Sequence, residues 1–215
     1  MKTGIIGSGI VGRTLGKAFL QEGYEVMLGS RDPLKPEVVS WKNENPTGLT
    51  GDFSEAAAFG DIIVLAVSGL VASNAIQIAG PDHFTGKIVI DTTNPIAKDP
   101  PQDSVLKYFT DLNESLMEKL QKKLPKARFV KAFNIVGSGL MYKPELTGGT
   151  PTMFICGNDE DAKKEVTGIL SLFGWETEDM GLSTAARAIE PLAILWCIPG
   201  FISNDWYHAF KLLKK

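Results

Sequence analysis

Three glycines near the amino terminus have the spacing of a phosphate-binding turn. The run Gly7-Ser8-Gly9-Ile10-Val11-Gly12 fits G-x-G-x-x-G and follows an apolar, strand-like segment, Thr3–Ile6. In that context the first glycine permits a tight turn, the second leaves room for a diphosphate, and the third lets a helix pack closely on the sheet. The free amides and the dipole of the helix then favour the phosphate charge. The sequence therefore predicts that Gly7, Ser8, Gly9, Ile10, Val11 and Gly12 hold the diphosphate of a dinucleotide.

The end of the second predicted strand, Tyr24–Leu28, indicates which dinucleotide binds. A site for NAD normally has an acidic residue there to bond the ribose hydroxyls. Here the strand runs into Gly29-Ser30-Arg31, and the first acid is Asp32. Ser30 can donate to a phosphate oxygen, and the guanidinium of Arg31 offers two parallel donors to a 2′-phosphate. With Lys35 as a second positive charge, the sequence favours NADP(H).

Other strand ends supply further candidate contacts, because the carboxyl ends of parallel strands line the ligand crevice. Asn94 suits a ribose or carboxamide contact, but it is equally well explained as a turn residue before a proline. Asn134 is open to the same two readings, a polar contact near the nicotinamide or a strand cap. The candidates from these segments are Ala66, Val67, Ser68, Asn94, Pro95, Phe133 and Asn134.

No acid–base or metal constellation accompanies the glycine turn, so no catalytic residue and no metal ligand is predicted. The two histidines, His83 and His208, have no carboxylate or serine partner in a familiar arrangement and are expected at the surface. Gly137-Ser138-Gly139 lacks a histidine partner for nucleophilic catalysis. Reduction of a ketone needs a proton relay, whereas hydride exchange between two cofactor rings depends on proximity and orientation. The sequence thus favours hydride transfer between rings.

Strand-like and helix-like segments alternate along the chain, which predicts an α/β fold: a Rossmann-type parallel sheet with helices on both faces and a small C-terminal α/β extension. We expect an NADP-binding region over residues 1–147. Residues 148–215 should form a smaller part packed on the same core.

Several segments give less regular patterns. Residues 32–45 read as a loop or irregular helix, and 112–124 as an amphipathic helix. Residues 94–103, with three prolines, predict a stiff exposed connection suited to a lid. The last helical region begins at Ser183 and should be interrupted at Pro191.

Composition and the C-terminal region narrow the expected partners. The net charge of -3 and scattered basic residues give no reason to expect nucleic acid. The longest apolar run, 191–202, is too short to span a bilayer, so no membrane contact is predicted, and two cysteines without paired spacing suit the cytoplasm. Since the final helix is apolar nearly all round, it must be buried in its own core or against a second subunit. A homodimer is the prediction.

Five segments together resemble a known family of reductases. They are similar to NADPH-dependent reductases of the deazaflavin coenzyme F420, and to the cytosolic oxidoreductase domain of the six-transmembrane metalloreductases. The segments are GIIGSGIVGRTLGKAFLQEGYEVMLGSRDP, DIIVLAV, IVIDTTNP, VKAFNIVGSGLM and STAARAIEPLAILW.

The resemblance implies a function and a cofactor arrangement. NADP would lie across the strand ends with Ser30 and Arg31 at its 2′-phosphate. A flavin-like ring would stack on the nicotinamide beneath residues 182–195. Hydride would pass directly between the rings without a protein acid or base, in a dimer. The acceptor implied is F420, with FMN and FAD as alternatives.

Two other classes of function are consistent with the glycine turn. A non-catalytic sensor or partner-binding protein would bind NADP(H) without oxidising it. A relative of the β-hydroxyacid dehydrogenases or pyrroline-carboxylate reductases would need a large helical dimerisation domain. Only about 80 residues follow Asn134, and some of them read as strands, which argues against the second class.

Overall fold

Eight strands form one sheet in the computed structural model, which describes all residues from 1 to 215. Their order is β3-β2-β1-β4-β5-β6-β7-β8. The strands are β1 (Lys2–Ile6), β2 (Glu25–Gly29), β3 (Leu49–Gly51), β4 (Ile62–Leu65), β5 (Ile88–Asp91), β6 (Arg128–Lys131), β7 (Thr152–Gly157) and β8 (Glu176–Asp179). The helices are α1 (Ile10–Gln21), α2 (Pro36–Glu44), α3 (Phe53–Phe59), α4 (Gly69–Ala79), α5 (Leu116–Lys123), α6 (Glu160–Leu172) and α7 (Ala186–Ser203).

The topology confirms the predicted Rossmann-type fold. Strands β1 to β6 are parallel, and β1 lies between β2 and β4, so the sheet is extended first in one direction and then in the other. A crevice opens at such a switch point, beyond the carboxyl ends of the central strands. The central strands are apolar on both faces; all four residues of β4 are buried. This burial explains their continuous apolar sequence.

The C-terminal part continues the same sheet. Strand β7 pairs antiparallel with β6, and β8 pairs parallel with β7. One buried apolar cluster of 49 residues runs from Ile5 in β1 to Ile189 in α7. The 1–147 and 148–215 division therefore remains a prediction about the limits of the nucleotide-binding part.

Three local predictions differ from the structure. Residues 36–44 form a regular helix, because Pro36 at its first position is compatible with helical geometry. Helix α5 begins at Leu116, four residues later than predicted, since Ser115 and Glu118 form a capping box. Strand β3, three residues long, was not predicted because it is too short to show alternation.

Helix α7 runs through both Pro191 and Pro199, so the predicted interruption is wrong. Each proline removes one backbone hydrogen bond, and burial of neighbouring side chains compensates for the loss. Ile189, Ala193 and Trp196 are buried, along one side of the helix.

The same helix is also longer and more apolar than the 12-residue run suggested. With the turn before it, Ser183–Ser203 has the length and hydropathy of a membrane-crossing helix, with a mean hydropathy of 1.4 and a third of the window buried. Length and composition do not distinguish such a helix from the core helix of a globular domain. The fully buried Glu190 in its middle accepts hydrogen bonds from the start of α5, which ties α7 to the body of the fold.

An ion pair between α5 and α7 makes stability dependent on pH. Hydrogen bonds from Arg187 lower the pKa of Glu118, and this effect is larger than the rise that burial causes. The resulting pKa is about 2. A lowered pKa in the folded state gives stability that is present above the ordinary value, 4.5, and is lost as pH falls towards 2. Glu118→Gln should therefore be less stable than the parent at pH 7, with the difference shrinking below pH 4.5.

Urea unfolding at several pH values measures this difference. Glutamine retains the capping geometry at this helix position, so the comparison isolates the charge. A difference that stays constant down to pH 2 would contradict the assignment.

Candidate dinucleotide site

A cleft of about 510 Å³ lies at the carboxyl ends of β1, β2 and β4. Nine of the predicted contact residues line it: Gly7, Ser8, Gly9, Ser30, Arg31, Lys35, Ala66, Val67 and Ser68. They come from three separate turns, which the parallel strands bring to one edge of the sheet. The lining also includes Asp32, Phe53, Val71, Asn74, Ala75 and Ile78, which were not predicted as contacts.

Each glycine of the turn has a distinct geometric reason. Gly7 has φ +123°, and a side chain there would overlap the backbone carbonyl of Ala66. A Cβ at Gly12 would overlap the carbonyl oxygen of Gly7 beneath the first turn of α1. A Cβ at Gly9, in contrast, meets no protein atom within 4 Å. Only the space above Gly9 is therefore left open for a ligand.

The start of α1 is suited to an anion. Gly9 is the N-cap residue and provides no side-chain cap, and the first turn has no acidic residue. The first amides of a helix have no partner within the helix, so they are available to phosphate oxygens. Ile10 is exposed and Val11 is half-buried within this turn. The donors and the open space fit a dinucleotide diphosphate.

Ser30 lies under the cleft. Its hydroxyl receives a hydrogen bond from Ser8 Oγ at 3.0 Å and donates to the backbone oxygen of Asp32 at 2.8 Å. The amide of Asp32 also donates to it, at 3.2 Å. Because this hydroxyl is buried and already bonded, Ser30 shapes the turn that carries Arg31. Its contact with the 2′-phosphate stays a prediction.

Arg31 is the exposed cation at the mouth of the cleft, and Lys35 lies half-buried on the same lining. Neither forms an ion pair with an acidic residue of the chain. Asp32 also lines the cleft, but its carboxylate caps the next turn by accepting from the amide of Leu34 at 3.0 Å. The two cations thus remain available to a phosphate.

Helix α4 supplies the opposite wall of the cleft, which sequence reasoning missed. Val71 and Ile78 are exposed apolar residues that face the cleft, with Asn74 between them. An exposed apolar strip facing a polar turn suits the flat ring of an adenine. In the sequence, the one indication of this wall is that Val71 and Ile78 are apolar at positions on the solvent side of a helix that follows a strand end.

Asn94 and Asn134 do not line this cleft, but the structure brings them together at the ends of β5 and β6. Asn94 Nδ2 donates to the backbone oxygen of Asn134 at 2.6 Å, and Asn134 Nδ2 donates to Asn94 Oδ1 at 3.0 Å. Asn134 Oδ1 is buried and has no partner. The pair thus contains one buried amide oxygen without a partner, at the next strand ends along the sheet. Pro95 beside it is buried.

The side chain of Phe133 cannot make the predicted cofactor contact. Its ring is fully buried and packs on Phe173, with ring centroids 5.9 Å apart. The residue has φ +61°, a conformation that is rare for an aromatic residue and that turns the chain sharply into Asn134. Phe133 therefore positions the turn, and its ring belongs to the core.

A buried charge cluster lies behind the asparagine pair. Lys131 Nζ is 2.7 Å from Asp91 Oδ2 and 2.9 Å from Glu190 Oε1, and all three side chains are at most 1% exposed. Burial acts to lower the pKa of Lys131, but the two carboxylates outweigh it, so the pKa is raised and the lysine stays charged. These groups are enclosed and paired, so none is free to exchange protons with a ligand.

Cys156 and His208 are two further titratable groups near the C-terminal helix. Burial raises the pKa of the Cys156 thiol to about 12, so it stays protonated at neutral pH. His208 is half-buried, contrary to the surface position expected, and stacks on Trp196 at 5.1 Å. Its Nε2 is 2.9 Å from the backbone oxygen of Trp196, which fixes the C-terminal tail on α7. His83 is half-buried in the turn after α4.

The fold and the glycine turn define a dinucleotide-binding protein of the Rossmann type. Residues 2–95 match the family of NADP oxidoreductases dependent on coenzyme F420. The crystal structure of a protein from Arthrobacter sp. FB24, proposed to be an F420-dependent NADP reductase, is 30% identical; the match covers 99% of each chain with a TM-score of 0.92. The chain belongs to this family of NADP oxidoreductases.

Two curated relatives agree with this assignment. The F420-dependent NADP reductase of Methanocaldococcus jannaschii is 26% identical, and the match covers 82% of each chain. Metalloreductase STEAP3 of Rattus norvegicus is 29% identical over 97% of this chain. The match covers 40% of that metalloreductase, so the chain spans well under half of its length.

Proposed function

We propose that the chain binds NADP(H) across the strand ends, with the diphosphate over Gly9 and the 2′-phosphate at Arg31 and Lys35. The open space above Gly9 and the two unpaired cations at the mouth of the cleft support this placement. The adenine would lie along the apolar strip of α4. The nicotinamide would extend towards the Asn94–Asn134 pair at the ends of β5 and β6, where the half-buried Asn94 is the more exposed of the two amides.

We further propose that the chemical step is direct hydride transfer to a flavin-like acceptor. When bound, the reduced nicotinamide supplies the hydride. The side chains placed at that end are amides, and Asp91, Lys131 and Glu190 are paired and enclosed. The protein residues thus orient the two rings, and no protein acid or base takes part. The proton that accompanies the hydride is taken from solvent by a nitrogen of the acceptor ring. The proposal of direct hydride transfer depends on one observation, namely that the polar side chains at this end are either amides or buried, ion-paired groups.

The deazaflavin F420 is the acceptor best supported by family membership, and FMN and FAD are the alternatives. The family is described by its dependence on coenzyme F420. Oxidation of NADPH should be measured with F420, FMN, FAD and ferric chelates in parallel. We expect turnover with F420 to exceed that with the others. Binding of NADPH without oxidation by any acceptor would favour a sensor instead.

We propose that the protein is a homodimer through the outer side of α7. Leu195 and Ile202 are 55% and 70% exposed on that side, next to the exposed Phe201. Contiguous apolar surface of this kind is typical of a protein interface. Light scattering at micromolar concentration should give twice 23.3 kDa. A mass of 23.3 kDa that persists as the concentration rises would exclude the dimer.

We also propose a cytoplasmic location without membrane insertion. The support is the role of α7 in the fold, because the helix carries Glu190 into the buried charge cluster. Withdrawal of that helix into a bilayer would leave Lys131 without one of its two carboxylate partners.

A further inference from the structure

Three charged side chains lie fully buried behind the Asn94–Asn134 pair without a place in the proposed cofactor contacts. They are Asp91 at the end of β5, Lys131 at the end of β6 and Glu190 in α7. Burial of charge is unfavourable unless each group is paired, and replacement of a buried ion pair by apolar residues is often neutral or stabilising. Stability alone therefore gives no strong reason for such a cluster.

The ammonium group of Lys131 is held by two ion pairs and one hydrogen bond. Its Nζ lies 2.7 Å from Asp91 Oδ2 and 2.9 Å from Glu190 Oε1, and it donates to the backbone oxygen of Thr93 at 2.8 Å. The third bond connects the cluster to the turn after β5. The lysine is thus held in one orientation and in turn holds the carbonyl of Thr93.

The two carboxylates complete the restraint. Asp91 Oδ1 accepts from both the amide and the hydroxyl of Thr93, at 2.9 and 2.7 Å. Glu190 accepts from the amides of Leu116 and Met117 at the start of α5, which fixes α7 relative to the sheet. Thr93 is therefore held at its amide, hydroxyl and carbonyl, immediately before Asn94.

The buried cluster is connected to the asparagine pair through the ends of both β5 and β6. Asn94 follows the restrained Thr93, and Asn134 lies three residues after Lys131 along the chain from β6. Asn134 Nδ2 also lies 3.4 Å from the backbone oxygen of Ile189, the neighbour of Glu190. The pair is therefore linked to the cluster through both of its strands and through α7.

We propose that Asp91, Lys131 and Glu190 are positioning residues, which set the Asn94–Asn134 pair against the nicotinamide and thereby align it for hydride transfer. This inference rests on the proposed function. The cluster does not touch the phosphate end of the cleft, so it should affect the orientation of the nicotinamide more than the affinity for NADPH.

Lys131→Met tests the inference by nuclear magnetic resonance. Saturation transferred from the protein to bound NADPH reports separately on adenine and nicotinamide protons, without an acceptor. The variant should keep the adenine signal, lose nicotinamide signal relative to it, and bind NADPH within about threefold of the parent. With F420 as acceptor, kcat should fall roughly tenfold to a hundredfold, the range expected for misplacement of about an ångström.

Lys163→Met is the matched control. Lys163 is also a buried lysine between two carboxylates, Glu160 and Asp179, each at 2.8 Å. It lies at the opposite end of the strands from the Asn94–Asn134 pair, because β7 and β8 run antiparallel to β6. Its loss should lower the melting temperature but leave the ratio of nicotinamide to adenine signal unchanged.

Glu190→Gln is the alternative variant if Lys131→Met does not fold. It removes one negative charge and leaves the ion pair of Lys131 and Asp91, whose charges cancel. It should change the signal ratio in the same direction. If the ratio and kcat of folded cluster variants match those of Lys163→Met, the inference is overturned while the proposed function stands. Absence of NADPH binding by the parent protein would overturn the proposed function itself, and the inference with it.

Discussion

Replacement of Gly9 by valine is expected to abolish binding of both NADPH and NADH and to leave the fold intact. Gly9 has φ −67° and ψ −178°, a backbone conformation open to any residue, and its Cβ would meet no protein atom within 4 Å. The valine side chain would instead occupy the space proposed for the diphosphate. Fluorescence titration measures binding, and circular dichroism with thermal melting measures folding.

Two other glycines serve as controls for the Gly9 variant. Gly168→Val also introduces a side chain into open space, in α6, and should leave binding unchanged. Gly12→Ala forces a methyl group against the carbonyl oxygen of Gly7, so it should destabilise the fold by about 1–3 kcal/mol or more. Unchanged cofactor affinity in a folded Gly9→Val protein would refute the role of the turn.

Replacement of Arg31 by alanine should weaken NADPH binding by about 1.5–3 kcal/mol, or one to two decades in affinity. NADH binding should change little, because the charge-assisted bonds of Arg31 require the 2′-phosphate. Lys35 should retain part of the discrimination. The parent protein is accordingly expected to bind NADPH far better than NADH.

Arg128→Ala provides a control at the amino ends of the strands, away from the cleft. There Arg128 pairs weakly with Asp159 at 3.8 Å. It should leave both affinities unchanged. An equal loss of NADPH and NADH binding in Arg31→Ala would contradict the 2′-phosphate assignment. In that outcome Asp32, which lines the same cleft, becomes the candidate ribose contact.

The fold and the phosphate turn were predictable because their signals are local. The glycines from Gly7 to Gly12 and the strand before them are contiguous, and Arg31 follows the next strand directly. Hydrophobic runs such as the one that forms β4 are typical of strands buried on both faces. These features depend on little besides neighbouring residues, so one sequence is enough to place them.

The rest of the site depends on contacts between distant segments. Asp91, Lys131 and Glu190 are separated by 40 and 59 positions, and nothing in any one segment shows that they share a buried cluster. The apolar strip of α4 likewise faces Arg31 only after the sheet has formed. A sequence gives the type of these residues, whereas the fold determines which of them meet.

The surroundings of Ser30 and the continuity of helix α7 also depend on contacts between distant segments. The hydroxyl of Ser30 was predicted to face a phosphate, but its bonds to Ser8 and Asp32 depend on how two turns pack. Local propensity also predicted a break at Pro191, where burial of the surrounding apolar residues keeps the helix continuous. At Pro191 tertiary packing therefore outweighed a sound local rule.

Transfer of deuterium from NADPH labelled at the reacting carbon to F420 is the most direct test of the central claim. The carbon of the deazaflavin that accepts hydride does not exchange its hydrogen with water, so the label remains where it was delivered. We predict one deuterium at this carbon of reduced F420 when NADPH labelled at the transferred hydrogen is used in ordinary water. We predict none at this carbon when unlabelled NADPH is used in heavy water, where only exchangeable positions take up deuterium. Deuterium derived from the solvent, or no reduction of F420 at all, would contradict direct hydride transfer between the two rings.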